Sequence, residues 1–143
     1  MERTTMSLGA TCTPYLYFKG ACADALAFYT EHGLGTVREL RRYAGTPAEQ
    51  RYGASWRDKV LHSLFEGPGI RFYAGDGPDS EPMKGSALFL ELTDVATANR
   101  LFDALSAGGR VTLAFAKQHW GDYYGNFTDK FGVQWAVNCS AAH

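Results

Sequence analysis

The sequence has no excess of charge of either sign, no long hydrophobic run and no paired cysteines, and each absence removes a class of function. Lys and Arg number 14 against 15 Asp and Glu, a formal net charge of −1. That balance lacks the electrostatic footprint of a protein that binds DNA, RNA or an anionic membrane. The only basic cluster, Arg38, Arg41 and Arg42, is short and broken by Glu39. Apolar runs stop well before the ~20 residues that a membrane-spanning helix needs. The opening M-E-R-T-T-M-S-L-G-A lacks the apolar stretch of a secretory signal. The expectation is a cytoplasmic protein with neither a nucleic-acid nor a membrane partner. Cys12, Cys22 and Cys139 are an odd number without C-x-x-C spacing, which argues against a disulfide framework and a thiolate zinc site. They read as small buried thiols in a reducing compartment, Cys12 and Cys139 on strand ends and Cys22 on a helix.

What is present is a globular composition, 143 residues with 45% apolar and 20% charged, enough for one domain with a real core. T-C-T-P-Y-L-Y-F reads as a strand ending at Phe18 and broken by Gly20. Residues 21–32 follow as a helix, because Cys22, Ala25, Leu26 and Tyr29 recur at i, i+3, i+4 and i+7, with Gly33 as a stop. The second half repeats this: S-A-L-F-L-E-L is a strand, Thr93 or Asp94 can cap, and Ala98, Leu101, Phe102 and Leu105 carry the helical spacing to Gly108 and Gly109. A shift of 74 residues lays Phe18 on Leu92, Phe28 on Phe102, Gly35 on Gly109 and Val37 on Val111. Later in each half a shift of 63 superposes G-I-R-F-Y on G-V-Q-W-A, the difference of 11 falling in a polar loop, A-G-T-P-A-E-Q-R-Y-G-A-S-W-R-D.

Each half therefore reads strand, helix, strand, strand, strand, and the chain reads as one domain of two repeats, about 11–76 and 86–139, joined by the linker 75–85. A lone βαβββ unit cannot cover its own sheet, so the expected fold is α+β, with paired βαβββ modules forming curved mixed sheets around a cavity and helices outside. The modules can pair within a chain or between chains. A homodimer is expected, with modules exchangeable across it.

In K-V-L-H-S-L-F, residues 59–65, a histidine sits inside a strand. Alternation puts Val60, His62 and Leu64 on one surface and Leu61, Ser63 and Phe65 on the other. A buried imidazole without a partner costs about 1–3 kcal/mol. His62 therefore has a local partner, such as a backbone carbonyl or tyrosine hydroxyl, or it lines a cavity. The 63-residue shift gives its counterpart as Gly125. In a cavity an imidazole can hydrogen-bond a ligand or act as a general base. Arg71, Gln134 or backbone amides would then stabilise developing negative charge. Aromatic residues, 14% of the chain, are the other strong signal. Tyr15, Tyr17, Phe72, Tyr73, Trp120, Tyr123, Tyr124 and Trp135 fall on expected strands or their edges. Most belong to a core, but hydroxyl- and indole-bearing rings want one polar contact. Tyr15, Tyr17, His62, Tyr73, Trp120, Tyr124 and Trp135 are accordingly the candidate ligand-binding set, suited to a flat or aromatic small molecule. H-W-G-D-Y-Y-G, residues 119–125, is either a mobile rim or a tight hairpin, with Asp122 a solvated charge and His119 exposed. His32 closes a helix, and no role is expected for His143.

T-P-Y-L-Y-F-K-G followed by A-D-A-L-A-F-Y, then K-V-L-H-S-L-F, W-G-D-Y-Y-G and D-K-F-G-V-Q-W-A-V-N, resembles the PhnB-like branch of the vicinal oxygen chelate superfamily. That superfamily includes glyoxalase I, extradiol dioxygenases, fosfomycin-resistance enzymes and metal-free bleomycin-resistance proteins. The resemblance runs from Thr13 to Asn138, and D-x-F-G-V-x-W-x-V-N is its most specific part. It implies a histidine recurring in K-V-x-H, and, for the metal-dependent members, one divalent ion held from four strand positions related by the repeat. Those positions fall here at Pro14, Leu88, Tyr73 and Ala136. One residue of slip adds Thr13, Tyr15, Ala87, Phe89, Phe72, Ala74, Trp135 and Val137, and none is an imidazole or carboxylate. A tyrosine there would ligate iron only after losing its proton. The expectation is no metal and no cofactor. The branch often carries the name of a ubiquinone-pathway methyltransferase, yet the sequence has no Gly-rich strand-to-helix loop for a nucleotide-like methyl donor. Three readings follow: a metal-free protein binding a small molecule; a glyoxalase-like metal-dependent lyase, isomerase or dioxygenase; and a metal-free enzyme using His62 as general base. The missing ligands favour the first.

Overall fold

The computed structural model describes residues 8–140, so His143 lies outside the described residues. The first module runs β1 (Tyr15–Phe18), α1 (Cys22–Glu31), β2 (Thr36–Arg42), α2 (Pro47–Tyr52), β3 (Val60–Gly67) and β4 (Ile70–Asp76). The second runs β5 (Leu88–Leu92), α3 (Val95–Ser106), β6 (Arg110–Lys117), β7 (Tyr123–Thr128) and β8 (Gln134–Cys139). Each folds as a four-stranded mixed sheet, ordered β1-β4-β3-β2 and β5-β8-β7-β6. The first strand of each module pairs parallel with the last, and the remaining pairs are antiparallel. The fold is the expected α+β pairing of βαβββ units.

Both helices form on the periodicity read from the sequence. Cys22, Ala25, Leu26 and Tyr29 of α1 are buried, as are Ala98, Phe102 and Leu105 of α3. Burying each large apolar side chain is worth about 1.5–3 kcal/mol, which outweighs intrinsic helix propensity. Asp94 caps α3 by accepting from the Thr97 N–H at 2.8 Å. The α1 helix has no side-chain cap of its own. Its first-turn donor is met from a distance: Asp76, at the end of β4, accepts from the Cys22 N–H at 3.0 Å, from Gly20 at 2.8 Å and from Val60 at 2.9 Å. The segment read as an open polar loop contains α2 and a single 3-10 turn, Ala54–Trp56. The signal was a capping box, T-P-A-E: Thr46 accepts from the Glu49 N–H, and the Glu49 carboxylate accepts from the Gly45 N–H.

One face of each sheet carries the helix and the other is left open. On the helix side lie Leu16, Phe18, Phe65, Phe72 and Ala74 in the first module, and Phe127, Trp135, Val137 and Cys139 in the second, joined in a single core. The modules meet through α1 and the β7–β8 turn. Phe28 packs edge-on to Phe131 and Tyr29 edge-on to Trp135, with ring centroids 5.6 and 5.3 Å apart. The Tyr29 hydroxyl donates to Asp129, which also accepts from the Trp135 indole N–H and the backbone N–H groups of Phe131 and Val133. Aspartate and tryptophan of the D-K-F-G-V-Q-W motif thus close the fold, with the tyrosine of A-F-Y as their partner.

The two modules share one pattern of strand register, with one correction to the expected shifts. Tyr15 pairs with Tyr73 and Phe89 with Ala136, matching the shifts of 74 and 63. Phe65 opposite Phe72 matches Phe127 opposite Trp135, which makes the third-strand shift 62. The cause is the turn that follows: residues 67–70 separate the paired Glu66 and Arg71, whereas the longer 129–133 separates Thr128 and Gln134. The close approach of Gly35 to the Glu66 backbone, repeated by Gly109 against Thr128, obeys the same shift. His62 therefore corresponds to Tyr124, and Gly125 corresponds to Ser63 on the buried side. The cysteine reading also needs one correction: Cys22 and Cys139 are buried, but Cys12 is exposed.

Candidate functional site

The alternation of β1, β3 and β4 sends Tyr15, Tyr17, His62, Leu64, Arg71 and Tyr73 to the open side of the first sheet. Tyr15 and Tyr17 stack with centroids 4.6 Å apart, and Tyr73 lies 6.0 Å from Tyr15 and 5.2 Å from His62. His62 has a local partner: its Nδ1 is 3.1 Å from the Tyr15 hydroxyl, the donor being set by the imidazole tautomer. It is half-buried, with the local partner that the first expectation called for. Burial pushes the Tyr15 hydroxyl above the ordinary phenol range, with Tyr17 adding to the shift, so it stays protonated and can donate. Gly75 makes this possible. A Cβ there would sit 2.9 Å from the Tyr15 hydroxyl and 2.8 Å from the Leu61 carbonyl oxygen. Gly75, expected at the start of the linker 75–85, belongs instead to β4, which runs to Asp76, and the need for a glycine there arises only when β1, β3 and β4 are side by side. Arg71 borders the cluster, its guanidinium 5.2 Å from the Tyr73 ring centroid and paired with Glu66 at 3.2 Å.

The open side of the second sheet has different chemistry. Phe89 stacks toward Tyr124 at 6.3 Å, and Trp120 lies 6.1 Å from Tyr124. The Asn138 amide donates to both oxygens of Glu91 at 3.0 Å and to Asp122 at 3.4 Å. Asp122 is thus half-buried and engaged, a correction to its reading as a solvated charge. Residues 118–122 form a tight hairpin turn between β6 and β7: Gln118 donates its backbone N–H to Asp122, and Gly121 donates back to Gln118. Trp120 projects from that turn, 54% exposed, and His119 is exposed beside it. Trp135 is the other correction. Expected in the pocket, its ring is fully buried on the helix side because β8 directs Trp135, Val137 and Cys139 into the core, and its indole is engaged by Asp129.

The candidate residues therefore fall into two groups, Tyr15, Tyr17, His62 and Tyr73 on one sheet and Trp120 and Tyr124 on the other. Tyr17 is 61% exposed and Phe89 59%, so neither face is covered by the other module. A groove of about 690 Å³ runs along edge strand β1, against the linker at Ser80–Lys84 and the β7–β8 turn. A groove of about 710 Å³ runs along edge strand β5, against α3 and the β3–β4 turn. These two grooves are related by the repeat.

The superfamily's metal can be tested against this geometry. The expected ligand positions, open-side pairs of first and last strands, are Tyr15 with Tyr73 and Phe89 with Ala136; one pair further on, Glu91 beside Asn138 brings a single carboxylate, which the Asn138 amide engages. Two phenols, a phenyl ring and a methyl group do not form a site for a divalent ion, whose hard or borderline character calls for carboxylate or imidazole. Among the described residues no group of three or more His, Cys, Asp and Glu is placed to hold one. The residues present do not fit the metal.

Comparison with known proteins agrees with the resemblance. Residues 10–138 match the sequence profile of the family described as 3-demethylubiquinone-9 3-methyltransferase. Protein YjdN of Escherichia coli K12 is 31% identical over 137 residues, spanning 88% of this chain and 92% of its own. Among solved structures, protein PA1353 of Pseudomonas aeruginosa is 34% identical with a TM-score of 0.81, covering 93% of this chain and 99% of that one. The PhnB protein of Bacillus cereus has a TM-score of 0.78 at 20% identity, covering 92% and 100%. The fosfomycin resistance protein FosX of Listeria monocytogenes, solved with Mn(II) and sulfate, shares only the fold: TM-score 0.63 at 8% identity, covering 94% and 95%. With this coverage, and with two βαβββ modules in the matching order, the chain belongs to the PhnB-like family of the vicinal oxygen chelate superfamily, the family described as 3-demethylubiquinone-9 3-methyltransferase.

Proposed function

We propose that this protein binds a flat, aromatic small molecule on the ring cluster of its first sheet, without the superfamily's divalent ion and without a cofactor. One observation carries the reading: Tyr15, Tyr17, His62 and Tyr73 form a contiguous, partly exposed platform with polar tips, where a metal-dependent relative would need carboxylates or imidazoles. A methyl-transfer role has no support in the residues, since the sequence carries no Gly-rich strand-to-helix loop for a nucleotide-like methyl donor.

The same proposal includes a second copy of the chain, with the compartment the cytoplasm. Tyr17, Phe89 and Trp120 are large rings left more than half exposed, and exposed aromatic clusters of this kind mark sites of association or ligand capture. Among the described residues edge strands β1 and β5 have no partner strand on their outer sides, and the two open faces differ in charge, Arg71 paired with Glu66 on one and Glu91 with Asp122 on the other. In such a dimer the first sheet of one protomer faces the second sheet of its partner, and the chamber is built by both.

The test is a thermal-shift screen of flat aromatic metabolites and antibiotics, read as RT ln(1 + [L]/Kd) of stabilisation. Tyr73→Ala and Tyr15→Ala should each weaken a hit about tenfold or more, and light scattering should give the mass of a dimer. Metal analysis of protein purified without chelator should find no stoichiometric ion. A bound ion, or a hit indifferent to both tyrosines, would overturn the reading. The Tyr15–His62 hydrogen bond favours one second reading, a metal-free enzyme in which an oriented His62 is the general base. It requires turnover of a hit that disappears in His62→Gln while affinity is kept.

A further inference from the structure

Among the described residues one buried side-chain atom has no hydrogen-bond partner, the Oε1 of Gln134. An acceptor left in that state costs about 1–3 kcal/mol. Gln134 opens β8 on the open side of the second sheet and lines a cavity of about 270 Å³ with Thr112, Tyr124, Asn126, Ala136 and the linker at Gly85–Ala87. Neighbouring side chains do not relieve it. The Asn126 amide donates to the Tyr124 hydroxyl at 3.2 Å. That phenol, already accepting, keeps its own hydrogen for another partner. Gln134 thus brings to the cavity an unmet acceptor, which a turn of its side chain exposes because Oε1 is closed to solvent as it stands, and Tyr124 brings a hydroxyl hydrogen, beside the polar groups of Ser86, Thr112 and Asn126. No Lys, Arg, Asp, Glu or His is among its lining residues. An acceptor and a donor in a chamber without charge match the N–H and C=O of an uncharged amide, whereas an ammonium or carboxylate would enter without a counter-charge.

We infer that Gln134 and Tyr124 form a recognition subsite for a neutral carboxamide, lactam or ureide group of the bound molecule, with Gln134 Oε1 accepting its N–H and the Tyr124 hydroxyl donating to its carbonyl. This rests on the binding reading above and narrows it: the ring platform of the first sheet takes the flat body, and this subsite selects the amide. The cavity is slightly smaller than the ~300 Å³ at which whole-ligand pockets begin, which suits a single functional group.

The probes are 2-pyridone, uracil, hydantoin and benzamide, each with its fully N-methylated counterpart, titrated into the intact protein by ¹H–¹⁵N NMR with the side-chain amides of Gln134 and Asn126 assigned. At least one N–H probe should shift the Gln134 amide and bind about tenfold more tightly than its N-methylated form, the scale of one neutral hydrogen bond. Gln134→Met, close in shape, should erase that difference, and Tyr124→Phe should reduce it. Gln134→Glu, which keeps an acceptor in the same place, provides the second variant if the methionine protein does not fold. It should hold the preference for N–H probes. If no N–H probe perturbs Gln134, or if N–H and N-methyl probes bind alike, the inference is overturned. The wider reading fails separately, through Tyr15 and Tyr73: a screening hit that depends on those tyrosines but ignores Gln134 leaves the platform standing and removes the subsite.

Discussion

The two sheets are the same scaffold with opposite fates on their two sides. On the helix side, three aromatic pairs keep their character: Phe65 and Phe127, Phe72 and Trp135, Phe28 and Phe102 are all buried. On the open side they part. Tyr15 corresponds to Phe89, Tyr17 to Glu91, His62 to Tyr124, Tyr73 to Ala136 and Gly75 to Asn138. A duplicated unit needs its packing side to fold and does not need its open side for that purpose. Divergence is not confined to the open side, since buried Leu26 and Tyr29 of α1 correspond to exposed Arg100 and Asp103 of α3, but on the sheets the open-side residues are the ones that face away from the protein's own core. One face became a ring platform with an imidazole, the other a floor of amides and carboxylates.

The sharpest break in this comparison comes from the packing side. Asp129→Ala removes the acceptor of four donors, two side chains and two backbone N–H groups, at the only described contact that ties α1 to the β7–β8 turn by a charged hydrogen bond. It should cost more than about 3 kcal/mol in urea unfolding, since hydrogen bonds to a charged group are worth ~1.5–3 kcal/mol each. The second effect is alkaline. Burial, with Asp76 nearby, pushes the Cys22 thiol from its ordinary 9.0 up to about 12, and burial beside Asp129 raises the Tyr29 hydroxyl well above the usual phenol range. The folded chain holds these protons more tightly than the unfolded one. Their stabilisation is complete below about pH 9 and is lost as pH rises from there toward 12. Thermal melting should fall across that window, and Cys22→Ala should flatten the fall.

A smaller, more pointed test exchanges open-side residues. Gly75→Asn installs the second module's residue beneath the Tyr15 hydroxyl and should cost about 1–3 kcal/mol by overpacking. It should also separate Tyr15 from His62. The reverse change, Asn138→Gly, removes the buried amide that bridges Glu91 and Asp122 and should also cost about 1–3 kcal/mol, but it should leave the Tyr15–His62 pair untouched. Equal effects of the two changes on the His62 ring signals in NMR would mean that the two faces are not specialised. The mildest change is Tyr15→Phe, expected to cost at most about 1 kcal/mol of stability while shifting the His62 ring signals in NMR and weakening any platform ligand.

Much of the fold could be read in the sequence because helix periodicity and strand alternation are local. The buried stripes of α1 and α3 and the pleat of β3 needed no distant information. The site was half legible. Tyr15, Tyr17, His62 and Tyr73 share a face by alternation within their strands, and the absence of metal donors at the paired positions is a matter of residue identity. Trp135 was misplaced because an aromatic residue on a strand does not declare its side until the strand's neighbours are known. Gly75 reads as linker in the sequence, and Gln134 only as a stabiliser of negative charge, for a related reason. A glycine's value is the atom it leaves out, and an unmet acceptor is visible only once every possible donor has been positioned.

The longer β7–β8 turn has a reach beyond its own residues. Two modules that differ by one position in a hairpin can no longer be overlaid as strings, although strand by strand they still pair alike. Any attempt to transfer chemistry from one half to the other by counting letters lands on the wrong side of the pleat for an entire strand. Spatial pairing is the ruler that keeps the two halves comparable.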